Sequence, residues 1–171
     1  MVADADVPGS LLRGAVRAGV DSCVYLPDGC LTSVIRAFQR SERITAIPCA
    51  REDEGVAIAV GLSLAGRIAL CFMEASGIGY SALILARAQV QRTPVVIVAS
   101  HSRRAGEPYD YHGATVLLAE GVLTGLGIPF EVATEPRSLE SLLYRIVQTA
   151  RGQLTSFGLL IPPFIALGAV A

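Results

Sequence analysis

Lysine is missing altogether: all fourteen basic residues of the 171-residue chain are Arg. Schiff-base chemistry and the phosphate-loop lysine are thereby excluded, since both need an ammonium group on a flexible stem. Net charge is scarce as well, with fifteen acids against fourteen bases, so the basic stripe of a nucleic-acid binder is lacking. No run reaches the ~18 uninterrupted apolar residues of a membrane span; the most apolar tail, residues 157–171, is broken by Pro162-Pro163. Residues 1–9 carry Asp4 and Asp6 and no basic cluster, which does not read as a signal peptide. Cys23, Cys30, Cys49 and Cys71 form no C-x-x-C pair. They are expected to be free, mostly buried thiols rather than metal ligands or disulfides, and a cytoplasmic home follows.

What is present is apolar: 52% of the residues are hydrophobic, enough to suggest that a partner covers part of the surface. The length fits one domain. Helical and strand-like patterns alternate throughout. Strands are expected at residues 23–26, 44–47, 67–72, 94–100, 130–132 and 157–161. Helices are expected at 10–18, with Ser10 as cap, at 31–38, from Glu52 to a stop at Gly66, and at 80–91, 114–126 and 139–150. Residues 74–79 read as a glycine-bearing turn and 101–112 as a polar loop. Residues 94–100 are the most β-branched run and the candidate central strand. The pattern predicts an α/β domain: a six-stranded, mostly parallel sheet in three α/β/α layers. Ligands gather at the carboxyl ends of such strands, which here carry Asp28, Glu52, Glu74 and residues 100–104.

The stretch from Cys49 to Gly61 stands out. Glu52 falls at a strand-to-helix junction, where free N–H groups and the helix dipole favour a carboxylate. Two readings stay open on position alone: Glu52, Asp53 and Glu54 as ordinary first-turn acids, or Glu52 as an acid placed for use beside a helix of Gly and Ala that a neighbouring surface can approach closely.

Three segments carry a resemblance. They are Arg51-Glu52-Asp53-Glu54-Gly55-Val56-Ala57-Ile58-Ala59-Val60-Gly61, Tyr25-Leu26-Pro27-Asp28-Gly29 and Met73-Glu74-Ala75-Ser76-Gly77-Ile78-Gly79. Together they resemble the pyrimidine-binding domain of thiamine-diphosphate enzymes, most closely the family of the sulfopyruvate decarboxylase α subunit and the matching half of phosphonopyruvate decarboxylase. The similarity covers nearly the whole chain. It implies one pyrimidine-binding domain over residues 1–171, with residues 1–8 as a flexible N-terminus.

For Glu52 the resemblance implies a bond to N1′ of the cofactor's aminopyrimidine, favouring the imino tautomer that deprotonates the thiazolium carbon. Met73, Ser76 and Gly77 are implied to stand with it at the cofactor, and Asp28, His112 and Glu74 near the substrate. Asp28 also reads as a routine turn residue, and His112 as a surface loop histidine. His101 reads as structural, while Arg103 and Arg104 suit either an anionic substrate head or a solvated pair. The chain departs from the family at Glu74-Ala75, where relatives carry Gln-Asn, and at Tyr80, where they carry Asn.

The family's Gly-Asp-Gly metal motif does not occur in this sequence. The resemblance therefore implies a second chain that binds the diphosphate through Mg2+, in an α2β2 or larger complex, with no metal on this chain. The implied reaction is decarboxylation of a small anionic 2-oxo acid such as sulfopyruvate or phosphonopyruvate. Alternatives are a carboligase or acyl-transferring subunit, and a non-catalytic regulatory module of the same fold.

Overall fold

The structure, a computed structural model, describes residues 6–102 and 112–167. Six strands form one parallel sheet in the order β2-β1-β3-β4-β6-β5. They are β1 Ser22–Tyr25, β2 Thr45–Pro48, β3 Ala69–Glu74, β4 Val96–Ser100, β5 Phe130–Val132 and β6 Phe157–Ile161. Every pairing is parallel, in registers such as Cys71↔Ile97 and Val98↔Leu159. The expected α/β architecture is thus borne out, and β4 is central, with β3 on one side and β6 on the other. Pro48 closes β2, an edge strand, where its missing N–H costs no ladder bond.

Side-chain alternation divides the core into two layers. Cys23, Leu70, Phe72, Val98 and Leu159 face α1 (Val7–Arg17), α2 (Thr32–Gln39) and α7 (Leu139–Gln153). On that side Phe38 meets Phe72 edge-on, centroids 4.9 Å apart. Val24, Cys71, Met73, Ile97 and Leu160 face α3 (Glu52–Leu64), α5 (Ala82–Val90) and α6 (His112–Gly125).

The two helical layers differ. The first is amphipathic, with Arg13, Arg17, Arg36 and Arg145 on its helices. The second is apolar nearly all round: α3 has no charge after Glu54, α5 has only Arg87 and α6 only Glu120. Leu83, Val90 and Leu117 on it are 64%, 85% and 70% exposed, as is Tyr80 at 72%. Such helices are characteristic of burial on both sides.

Local expectations fail in three places. Asp6, not Ser10, caps α1: its Oδ1 accepts from Gly9 N at 2.9 Å, while Ser10 lies inside the helix and accepts from Arg13. The helix therefore begins at Val7, within the stretch expected as the N-terminal arm; residues 1–5 lie outside the described residues. Residues 76–80 are not an open turn but the short helix α4 (Ser76–Tyr80). Burying Ile78 completely outweighs the poor helix propensity of Gly77 and Gly79. The helix expected from residue 114 begins at His112 as α6; of the expected loop, residues 103–111, with Arg103 and Arg104, and the His112 side chain lie outside the described residues. A further short helix, α8 (Pro163–Ala166), follows β6.

All four cysteines are free. Burial pushes the Cys23 thiol up to about 12. Burial, reinforced by Cys49, raises Cys71 further, and burial with Glu54 nearby raises Cys49. A raised thiol stays protonated and unreactive near neutral pH. Iodoacetamide at pH 8 is therefore expected to leave Cys23 and Cys71 unmodified in the folded chain and to label both after denaturation, read by peptide mass spectrometry.

Candidate functional site

A crevice opens in a parallel sheet where connections leave neighbouring strands in opposite directions. Here β1 runs through α2 to β2 on one side, while β3 runs on to β4 on the other. A pocket of about 380 Å³ lies at that point, over the carboxyl ends of β1, β3 and β4. It is lined by residues 26–30, Glu52, Glu74, Ser100 and Ser102.

Glu52 arrives from the first turn of α3. Of the three acids there, two are occupied by local structure. Asp53 pairs with Arg51 at 3.0 and 2.9 Å, and Glu54 accepts from Ala50 N at 2.8 Å. Glu52 makes no hydrogen bond or ion pair among the described residues and faces the pocket. Its half-buried side chain lies against the bare Cα of Gly77. A Cβ there would come within 2.2 Å of Glu52 Cγ and 3.0 Å of its Cδ. Gly55 serves the same packing one turn later, since a Cβ on it would sit 3.0 Å from Cys49 Sγ and 3.3 Å from Cys71 Sγ. A side chain at Gly77 would push Glu52 off α4, and one at Gly55 would crowd the sulfurs on which α3 rests.

Asp28 closes a turn and also lines the pocket. Its Oδ1 accepts from Leu31 N at 2.7 Å, closing the turn into α2, and its Oδ2 accepts from Ser100 Oγ at 3.1 Å. The second bond ties the end of β1 to that of β4 while Asp28 lines the pocket. Glu74 accepts from Ser76 Oγ at 2.6 Å. Three carboxylates, Asp28, Glu52 and Glu74, therefore share one pocket, and no basic side chain among the described residues lines it.

The other expected residues are placed differently. Ser76 reaches the pocket through Glu74, and Gly77 through Glu52. Met73 is fully buried in the core facing α3 and does not line the pocket. His101 is also fully buried, its Nε2 2.9 Å from Glu120 Oε1 and its N–H donating to Ile161 O. It joins β4 to α6 and β6. Tyr80 is exposed on the outer face, away from the pocket. Sequence reasoning did not single out Ser100, Ser102 or Cys30. Their only signal was position at strand ends, and the Asp28–Ser100 bond spans 72 residues.

Comparison with known proteins gives the same class. The family model for the N-terminal TPP binding domain of thiamine pyrophosphate enzymes matches residues 9–120, and the chain belongs to that family. Two curated relatives are both called sulfopyruvate decarboxylase subunit alpha. The one from Methanothermobacter thermautotrophicus is 28% identical over 132 residues, covering 77% of this chain and 80% of that protein. The one from Methanococcus maripaludis is 30% identical over 93 residues, 54% of this chain and 56% of that protein.

Because Gly77 sets where the Glu52 carboxyl lies, Gly77→Ala is expected to displace it and lower turnover on the order of 10²-fold, the usual cost of misplacing a reacting group by about 1 Å. Steady-state kinetics beside circular dichroism checks this, with the fold expected to be unchanged.

Proposed function

We propose that this chain is the pyrimidine-side, alpha subunit of a thiamine-diphosphate-dependent decarboxylase. Its substrate is a small 2-oxo acid with an anionic substituent, sulfopyruvate or phosphonopyruvate being the models. The observation that carries the reading is Glu52: a carboxyl with no partner among the described residues, pinned by Gly77 at the rim of a switch-point pocket. The names of the two relatives support the reaction and the word subunit.

The site fits the pyrimidine end of the cofactor. A carboxyl with no partner among the described residues suits a ring nitrogen that must gain and lose a proton, and the bare Gly77 cradle holds that carboxyl in one place. Thiamine diphosphate, when bound, supplies the electron sink that accepts the pair left by departing carbon dioxide. Glu52 holds a proton toward N1′ of the ring. Asp28, locked by Leu31 and Ser100, shapes the substrate side, with Glu74 opposite and His112 as a further substrate residue. Ser76 fixes the Glu74 carboxylate, and Met73 supports α4 from the core.

We place the diphosphate and its Mg2+ on a second chain, a reading supported by the word subunit in the names of both relatives. The apolar outer face of α3, α5 and α6 is where we place that partner. Along α3 it is smooth: beyond the outer side of Gly61 lies open space. Four free thiols fit a reducing, cytoplasmic compartment.

The test is reconstitution. This chain with its diphosphate-binding partner, thiamine diphosphate and Mg2+ is expected to release carbon dioxide and an aldehyde from sulfopyruvate, phosphonopyruvate or a close analogue. Glu52→Gln is expected to lower the rate by about 10²- to 10⁴-fold, the range for a positioned acid–base group, while complex formation in size-exclusion chromatography persists. Near-normal turnover in that variant would remove Glu52 from the role, and a coupled hydroxyketone product would move the assignment to carboligation.

Glu74 adds negative charge beside a substrate proposed to be anionic. Glu74→Gln keeps the hydrogen-bonding shape and removes the repulsion. It is expected to raise kcat/KM for the anionic 2-oxo acid by roughly tenfold, the size of one like-charge interaction in a partly solvated pocket, and to leave pyruvate, which lacks the second charge, little changed.

A further inference from the structure

A second cavity lies at the opposite, amino-terminal end of the same strands. It has a volume of about 490 Å³, within the ~300–1,000 Å³ range of small-molecule sites. Ala69 and Val96, at the starts of β3 and β4, line it, whereas Glu74 and Ser100, at the other ends of those strands, line the first pocket. At about 3.3 Å per residue the two are separated by roughly 13–17 Å along the strands.

The lining has two parts. Ile68, Val96, Val147 and Ala150 make an apolar floor, and Arg67, Arg92 and Arg151 stand around it, with no acidic residue in the lining. Arg67 is paired with Asp21 at 3.2 Å. Arg92 and Arg151 are exposed and make no side-chain hydrogen bond or ion pair among the described residues.

The backbone adds an independent observation. Five described residues have left-handed φ. Three are glycines, Gly19, Gly66 and Gly127, and the two that carry side chains are Arg92 at φ 55° and Leu154 at φ 52°. Both of these line this cavity. Glycine is the residue that takes this conformation without steric cost. Strained non-glycine residues tend to cluster where the side chain is used.

The geometry points to a binding site for an amphipathic organic anion, a compact apolar body bearing a phosphate, sulfonate or carboxylate head. The body rests on Val147, Val96 and Ile68, and Arg92 and Arg151 take the head by charge-assisted hydrogen bonds. The site is separate from the carboxylate-lined pocket and needs no thiamine diphosphate.

The test is a fluorescence anisotropy titration of 1-naphthyl phosphate with the purified full chain in the assembly it forms, with excess thiamine diphosphate present to block the catalytic pocket. One saturable site per copy is expected, with a Kd below about 1 mM. Arg92→Gly removes the guanidinium and places at this φ the residue best suited to it, so folding is not at issue. It is expected to weaken binding about tenfold, as is Arg151→Ala. Uncharged 1-naphthol and bodiless inorganic phosphate are each expected to bind more weakly than the ester. Absence of saturable binding, binding by Arg92→Gly and Arg151→Ala as tight as by the unsubstituted chain, or 1-naphthol or phosphate binding as tightly as the ester would each overturn the proposal.

Discussion

The contact between the Glu52 side chain and the bare Cα of Gly77 is the constraint on which the site depends. It joins the first turn of α3 to α4, and so the connection after β2 to the connection after β3. The two can meet because β1 lies between β2 and β3, with all three running the same way. Gly55 brings α3 down onto the sulfurs of Cys49 and Cys71, and burial keeps those thiols neutral under the helix. Asp53 and Glu54 absorb the local demands of the helix start, through Arg51 and Ala50 N. Glu52 is thereby left as the one first-turn acid whose carboxyl has no partner among the described residues.

The asymmetry of the two helical layers follows from the same arrangement. On the α1, α2 and α7 side, one apolar stripe per helix is satisfied by the sheet, and the outer surface carries ions such as the Arg13–Glu140 pair at 2.8 Å. On the α3, α5 and α6 side the sheet takes one face while an equally apolar outer face remains. Glu52 and α4 belong to that second layer. A surface that is costly to leave in water, and a carboxyl without a partner among the described residues, are thus presented by the same layer.

Much of this was legible in the sequence because it is periodic or local. Strand runs such as residues 157–161, the stop at Gly66 and the junction at Glu52 depend on neighbours a few residues away. The family membership was likewise visible in three short segments, later matched over residues 9–120. What was not legible depends on distant partners. Residues 74–79 read as a glycine turn until the burial of Ile78 winds residues 76–80 into a helix. Ser10 stands where the pattern expects the cap, but the helix starts one turn earlier, at the equally good cap Asp6. Ser100 has no motif at all and gains its place only when β1 and β4 bring it to Asp28.

The placement of charge over the molecule follows from topology as well. In a parallel sheet covered by helices, helix N-termini gather over the strand carboxyl ends and helix C-termini over the amino ends. The helix dipole then favours carboxylates at the first and guanidinium groups at the second. Glu52 at the start of α3 obeys this rule, and so do Arg67 beyond α3, Arg92 beyond α5 and Arg151 in the last turn of α7. The dipole explains the sign of the charge at each end. It does not explain the left-handed backbone at Arg92 and Leu154, since a glycine there would close each helix with less strain. Nor does it account for an acid at Glu52 with no partner among the described residues when its two neighbours are bonded. In both places the residue exceeds what the helix end needs, and at both the excess side chain borders a cavity.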